Sequence, residues 1–228
     1  MTLPALQVNR LVALGAPILC VDTCTVLDVI RDVTRDSIRA SDVSAGLVLL
    51  GAAETNSDLV VLMSKQVVTE LASNRANVEK DADAKLTKLQ DQVQRVHDLA
   101  TLFGANGALG IQHLRGHVSR AKAVLSRWEA VAKVVKVTQS IETKAYRRAM
   151  TAQVPSRQGK ESMKDCVVFE TYMEAARRLR NAGHTQPIVF ASSNTNEYDR
   201  VIEINAEFRP LGMEYAPTFG AAKHHLGL

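Results

Sequence analysis

The sequence predicts an α/β fold with a central parallel sheet and a long inserted helical hairpin. Three observations carry this. Short apolar runs of strand length alternate with segments of helical periodicity, the pattern of parallel strands joined by crossover helices. Hydrophobic residues make up 46% of the 228-residue chain but aromatics only 4%. The core is therefore aliphatic, which suits helices and buried parallel strands better than a β-sandwich. Finally, Lys65–Phe103 holds neither proline nor glycine, so a continuous helix there would span roughly 55–60 Å.

The elements follow in order. Pro17-Ile-Leu-Cys-Val-Asp22 is an apolar run closing on an acid, with the strand placed at Ile18–Asp22, and Val26, Leu27 and Ile30 then recur at helical spacing. Ser41–Ala53 reads as a helix capped by Ser41 or Asp42, and Asp58–Met63 as a second strand, with Ser64 as the N-cap of the helix behind it. Leu86, Leu89, Val93, Val96, Leu99 and Phe103 advance in steps of three and four, an a/d seam. Gly104–Gly110 breaks it. A return helix over Val118–Val137, with Trp128 on its apolar stripe and Ile141–Met150 prolonging or following it, completes a hairpin over residues 74–150. Gln153–Gly159 is a loop, and Ser162 caps a helix running to about Asn181. Pro187–Ser192 is a third strand, Asn205–Leu211 a short helix or turn, and Glu214–Ala216 a last short strand. The chain reads as a single domain over residues 1–228 that carries the hairpin as an insertion.

Composition excludes some classes. No run of 18 apolar residues is present, so no membrane-spanning helix is expected. Lys+Arg outnumber Asp+Glu by 28 to 24, a mildly basic balance that permits a nucleic-acid partner without demanding one. Cys20, Cys24 and Cys166 are an odd number in a long chain. That is no disulfide framework and points to a reducing, cytoplasmic compartment. The apolar stretch before Cys20 is interrupted by Pro17 and lacks the flanks of a signal peptide.

The acids carry the functional signal. Asp22 ends the first strand, Glu70 lies in the first turns after the second, and Glu197 follows the third. In an open parallel sheet the carboxyl ends of the strands share one edge, where ligands bind. Asp165 sits in the first turn of a helix before a strand, a position that strand order alone does not place. Taken singly, each acid has a plain structural role: a cap, a solvated helix position, a first-turn acid, a loop residue.

The surrounding motifs change that weighing. Asp22-Thr23-Cys24-Thr25-Val26-Leu27 resembles the Asp-Thr-Asn/Ser-Val-Leu opening of PIN-domain nucleases. Val60–Ser64 followed by Glu70 resembles their second element, and Ser162-Met-Lys-Asp165 resembles the Ser-x-Lys-Asp of larger bacterial PIN-like domains with a helical insertion. Ser192-Ser193-Asn194-Thr195-Asn196-Glu197-Tyr198 is similar to the family's Thr-x-Asn/Asp-x-x-Asp-Phe. The resemblance spans residues 17–73 and 160–217. It implies a PIN-like three-layer fold and a divalent-metal-dependent nuclease, an endoribonuclease acting on single-stranded RNA. Asp22, Glu70, Asp165 and Glu197 would be its catalytic, metal-binding acids for Mg²⁺ or Mn²⁺, with Thr23 (bracing Asp22), Ser192 and Asn194 in support. Three features depart from the pattern: Cys24 for Asn or Ser, Glu197 for Asp, and a long stretch between Glu70 and Asp165 that the hairpin fills.

Arg157, Lys160 and Lys164 flank the Asp165 element and are the candidate nucleic-acid contacts. The alternative function is a catalytically silent PIN-like module that binds RNA or a protein through the hairpin, whose seam would also support self-association if it faces solvent. A phosphotransfer receiver would need paired early acids and a strand-end lysine, which are missing.

Overall fold

The computed structural model describes residues 2–55, 57–157, 162–198 and 200–228. Five strands lie among them: β1 (Ile18–Val21), β2 (Val60–Ser64), β3 (Lys133–Val135), β4 (Ile188–Ala191) and β5 (Met213–Ala216). They form one sheet in the order β3-β2-β1-β4-β5, every neighbouring pair parallel. Ile18 stands opposite both Val60 and Ile188, and Val21 opposite both Met63 and Ala191. Strands β1, β2 and β4 are buried at every position, which is why each reads as an uninterrupted apolar run.

The helices are α1 (Ala5–Leu14), α2 (Thr23–Leu27), α3 (Ala40–Glu54), α4 (Lys65–Leu102), α5 (His117–Val131), α6 (Gln139–Met150), α7 (Met163–Asn181), α8 (Val201–Phe208) and α9 (Phe219–Leu226). The strand order grows outward from β1 to β3, then reverses to β4 and β5. Right-handed crossovers place the helices of the two halves on opposite faces of such a sheet. On one side Trp128 of α5 stacks on Phe219 of α9, ring centroids 5.2 Å apart. A side chain at Gly46 of α3 would meet that Phe219 ring at 2.9 Å, so glycine lets α3 and α9 approach. On the other side Phe169 of α7 stacks on Phe208 of α8 at 5.1 Å, and Phe190 of β4 lies against Tyr172 of α7. A sheet with helices on both faces is the three-layer α/β fold that the sequence implies.

The inserted segment differs from a purely helical hairpin. Helix α4 is continuous for 38 residues, but the return helix ends at Val131 rather than Val137. Lys133–Val135 pairs with Leu62–Ser64 as the edge strand β3. The β-branched run from Val131 to Thr138 suits a strand more than a helix, and the free edge of β2 decides it. Residues 139–150 then form a separate helix, α6, that pairs antiparallel with α7 through Lys144–Glu174 and Arg148–Glu170. Along α4 the last buried seam residue is Leu86, and Val96, Leu99 and Phe103 are exposed. Two helices were not expected: α1, and the C-terminal α9 around His224 and His225, where His225 Nδ1 contacts Glu214. Among the described residues, no helix is long and apolar enough to cross a membrane.

Candidate active site

The reversal of strand order falls between β1 and β4, so their carboxyl ends open a crevice. Asp22 leaves β1 into it as the N-cap of α2, accepting from its neighbour's Thr23 N–H at 2.7 Å. Across the gap Ser192, leaving β4, donates its hydroxyl to Asp22 Oδ2 at 2.7 Å. Both residues are buried. Tyr172 fixes the adjacent strand ends: its hydroxyl donates to the Val21 carbonyl at 2.6 Å and accepts from the Ser64 N–H at 2.9 Å. That pins α7 against the mouth of the crevice, and Asp165 lies in the first turn of the same helix.

Glu70 faces the crevice from α4. Its carboxylate accepts from the Thr23 hydroxyl at 2.6 Å and from Gln66 Nε2, one turn earlier, at 2.8 Å. The expected brace between the Thr23 side chain and Asp22 is therefore corrected: the hydroxyl holds Glu70, because Asp22 already receives the Thr23 N–H. The Cys24 thiol takes the place beside Asp22, donating to Oδ2 at 3.1 Å and lying 3.3 Å from Ser192 Oγ. Asn194 supports through its main chain. Its N–H reaches Ser192 Oγ, and its carbonyl accepts from the Glu197 and Tyr198 N–H groups, making the turn that presents Glu197. Tyr198 is buried against Phe190, and its hydroxyl has no partner among the described residues.

Electrostatics bring the four acids together. Burial first, then the charges of Asp22, Glu197 and Glu70, pushes the Asp165 carboxyl up to about 7. Asp22 is also raised, chiefly by burial and further by Glu70, while the hydrogen bonds from Ser192, Cys24 and Thr23 pull the other way. The Cys24 thiol is pushed up to about 12 by burial and by Asp22, so it stays protonated and donates. Charges acting on one another across a half-buried crevice make one acidic site. All of its oxygens are hard donors of the kind Mg²⁺ and Mn²⁺ accept. Among the described residues, no three of His, Cys, Asp and Glu are gathered into a ready-made metal cage. Mg²⁺ does not need one, since it keeps several waters and takes one or two carboxylates plus substrate phosphates.

Of the basic residues, Lys164 is exposed beside Asp165, Arg157 is half-buried in the preceding loop, and Lys160 lies outside the described residues. Sequence reasoning missed Gln66, Tyr172 and Arg200. The last holds the loop before α7 through the Ala152 and Ser156 carbonyls. Only Gln66 had a local signal, its four-residue spacing to Glu70.

A PIN-domain profile matches residues 19–198, which runs from the strand bearing Asp22 to the turn bearing Glu197. No curated protein and no solved structure gives a significant match. The acids that couple across the crevice all stand inside the matched span, on a parallel sheet whose order reverses beside them. By that match over most of its length, the chain belongs to the PIN-domain family, whose fold is of the nuclease type.

Proposed function

We propose that the protein is a divalent-metal-dependent endonuclease that hydrolyses phosphodiester bonds, with single-stranded RNA as substrate. The observation that supports this most is Asp165, whose carboxyl is raised to about 7 by burial and by Asp22, Glu197 and Glu70. Carboxylates held against their own repulsion are an arrangement that a cation relieves. Asp22, Glu70, Asp165 and Glu197 would hold Mg²⁺ or Mn²⁺. When bound, the ion lowers the pKa of a water and stabilises charge on the scissile phosphate. The chain's own part is positional. Ser192, Cys24 and the Thr23 N–H fix the Asp22 carboxylate, while Thr23 Oγ1 and Gln66 fix Glu70, so neither acid needs to reorganise as substrate enters. Arg157, Lys160 and Lys164 would take the phosphate backbone beside Asp165. The exposed apolar residues of α4 are where self-association or a protein partner would act.

The absence of a ready-made cage among the described residues favours the second reading, a silent PIN-like module that binds RNA or a protein. One experiment separates the two. With Mn²⁺ or Mg²⁺ the parent protein should cleave single-stranded RNA. Asp22→Asn should abolish cleavage while leaving the circular dichroism spectrum unchanged, because the amide keeps the shape and loses the charge. If Asp22→Asn cuts as fast as the parent, the assignment of the site is wrong. If the parent binds no divalent cation and cuts neither RNA nor DNA, the binding module is the better account.

A further inference from the structure

A second cavity backs onto the acidic crevice. It has a volume of about 300 Å³, at the small end of the roughly 300–1,000 Å³ of ligand sites. Its apolar wall is formed by Val124 and Leu47 with the stacked Trp128–Phe219 pair. Its rim carries Arg31, Arg35 and Arg39 against Asp28 and Asp42. Arg31 and Arg35 both reach the same Asp28 oxygen, each at 3.4 Å, and Arg39 is exposed with no ion pair among the described residues. Cationic capacity is thus left over at the mouth.

Two polar groups in this wall are unspent. The Trp128 indole N–H and the Ser193 hydroxyl are both buried without a hydrogen-bond partner among the described residues. Such groups cost about 1–3 kcal/mol each unless something satisfies them. Thr25 ties the cavity to the crevice. It lines the cavity, accepts the Ser193 N–H at 2.8 Å, donates to the Ala191 carbonyl at 3.3 Å, and follows Cys24, whose thiol touches Asp22. One wall therefore separates the cavity from the acids.

We propose that this cavity is a base-reading pocket that takes one nucleotide of the substrate strand, next to the bond positioned at the acids. The flat aromatic and aliphatic wall fits the face of a base. The arginine rim fits the attached phosphate, and the indole N–H and Ser193 hydroxyl fit the polar edge of the ring. The inference rests on the nuclease reading for its placement, but its test does not require cleavage.

Trp128 is the chain's single tryptophan, so intrinsic fluorescence reports on this wall alone. The parent protein in EDTA would be titrated with the four 5′-ribonucleoside monophosphates, the corresponding nucleosides and inorganic phosphate. At least one nucleotide should change the emission saturably and bind more than tenfold tighter than phosphate. Leu47→Asp sits on an exposed position of α3 and adds a negative charge to the wall. It should weaken that nucleotide at least tenfold with the far-ultraviolet dichroism unchanged, and Arg39→Ala should weaken it severalfold. The pocket is refuted if no nucleotide alters the emission, if phosphate binds as tightly as the nucleotide, or if Leu47→Asp binds like the parent. Nucleotide binding without any cleavage would sink the nuclease reading and leave the pocket standing. Cleavage without nucleotide binding would do the reverse.

Discussion

Cys24 is the residue at which this chain departs from the opening motif it otherwise resembles, and its surroundings explain how the change is tolerated. The thiol is buried, held protonated with its pKa pushed up to about 12, and donates to Asp22 Oδ2. It thereby does what a hydroxyl or amide donor would do there, with a longer and weaker bond. Cys24→Ser should keep the donor and leave RNA cleavage within about threefold of the parent. Cys24→Ala removes one of the three hydrogen bonds on a buried carboxylate and should cost about 1–3 kcal/mol in urea denaturation. If alanine and serine prove equally stable, the thiol is only filling space. Asp22 and Ser192 were legible in the sequence because each directly follows an apolar run that could only be a buried strand. The partners of Glu70 were less so. Thr23 sits 47 positions away, and an acid in a helix looks the same in sequence whether it faces solvent or a crevice.

Between elements, the junction of α6, α7 and α8 is held by one buried cation. Arg148 donates through Nε to Glu170 at 2.9 Å, through Nη1 and Nη2 to Glu207 at 2.8 and 2.7 Å, and to the Val154 carbonyl, with its guanidinium 4.6 Å from the centre of the Phe169 ring. Arg148 and Glu170 are 6% and 7% exposed, so removing one strands the other. Arg148→Ala should therefore cost about 3–5 kcal/mol in chemical denaturation, and Arg148→Ala with Glu170→Gln should recover part of it by removing the orphaned charge. Arg127 with Glu54 is a control: that pair is exposed, and its loss should cost under about 1 kcal/mol. A small effect at Arg148 would mean that the junction is held by its apolar contacts alone. None of this was readable beforehand, because Arg148 looks like a last-turn complement to the helix dipole. The edge strand β3 escaped for a related reason. Three residues carry too little periodicity to outvote the helical stripe before them, and only the open edge of β2 makes them a strand. The four longer strands were readable because each is a bounded apolar run.

At the scale of the whole molecule, the sheet gathers acids from four separate elements, and their mutual repulsion has a thermodynamic signature. Asp165 titrates at about 7 in the fold, against about 3.9 in an unfolded chain. Below pH ~4 both states hold the proton. As the pH rises from there to about 7, the unfolded chain releases it while the folded one retains it, so the native state becomes progressively less stable. Above that window both states are ionised and the loss is complete. In EDTA, the parent should therefore lose on the order of 1–3 kcal/mol between pH 4 and 8 relative to Asp165→Asn, after discounting for partial exposure of the side chain. The two proteins should be alike at pH 4, and the variant the more stable at pH 8. Mn²⁺ at pH 8 should then raise the stability of the parent by more than that of the variant, since a ligand that binds only the native state stabilises it in proportion to its affinity. The measurement is a urea midpoint as a function of pH, with and without the cation. Identical pH profiles for parent and variant in EDTA would show that Asp165 does not share the crevice. Matching profiles with and without Mn²⁺ would leave an acidic site that holds its repulsion for some purpose other than a metal.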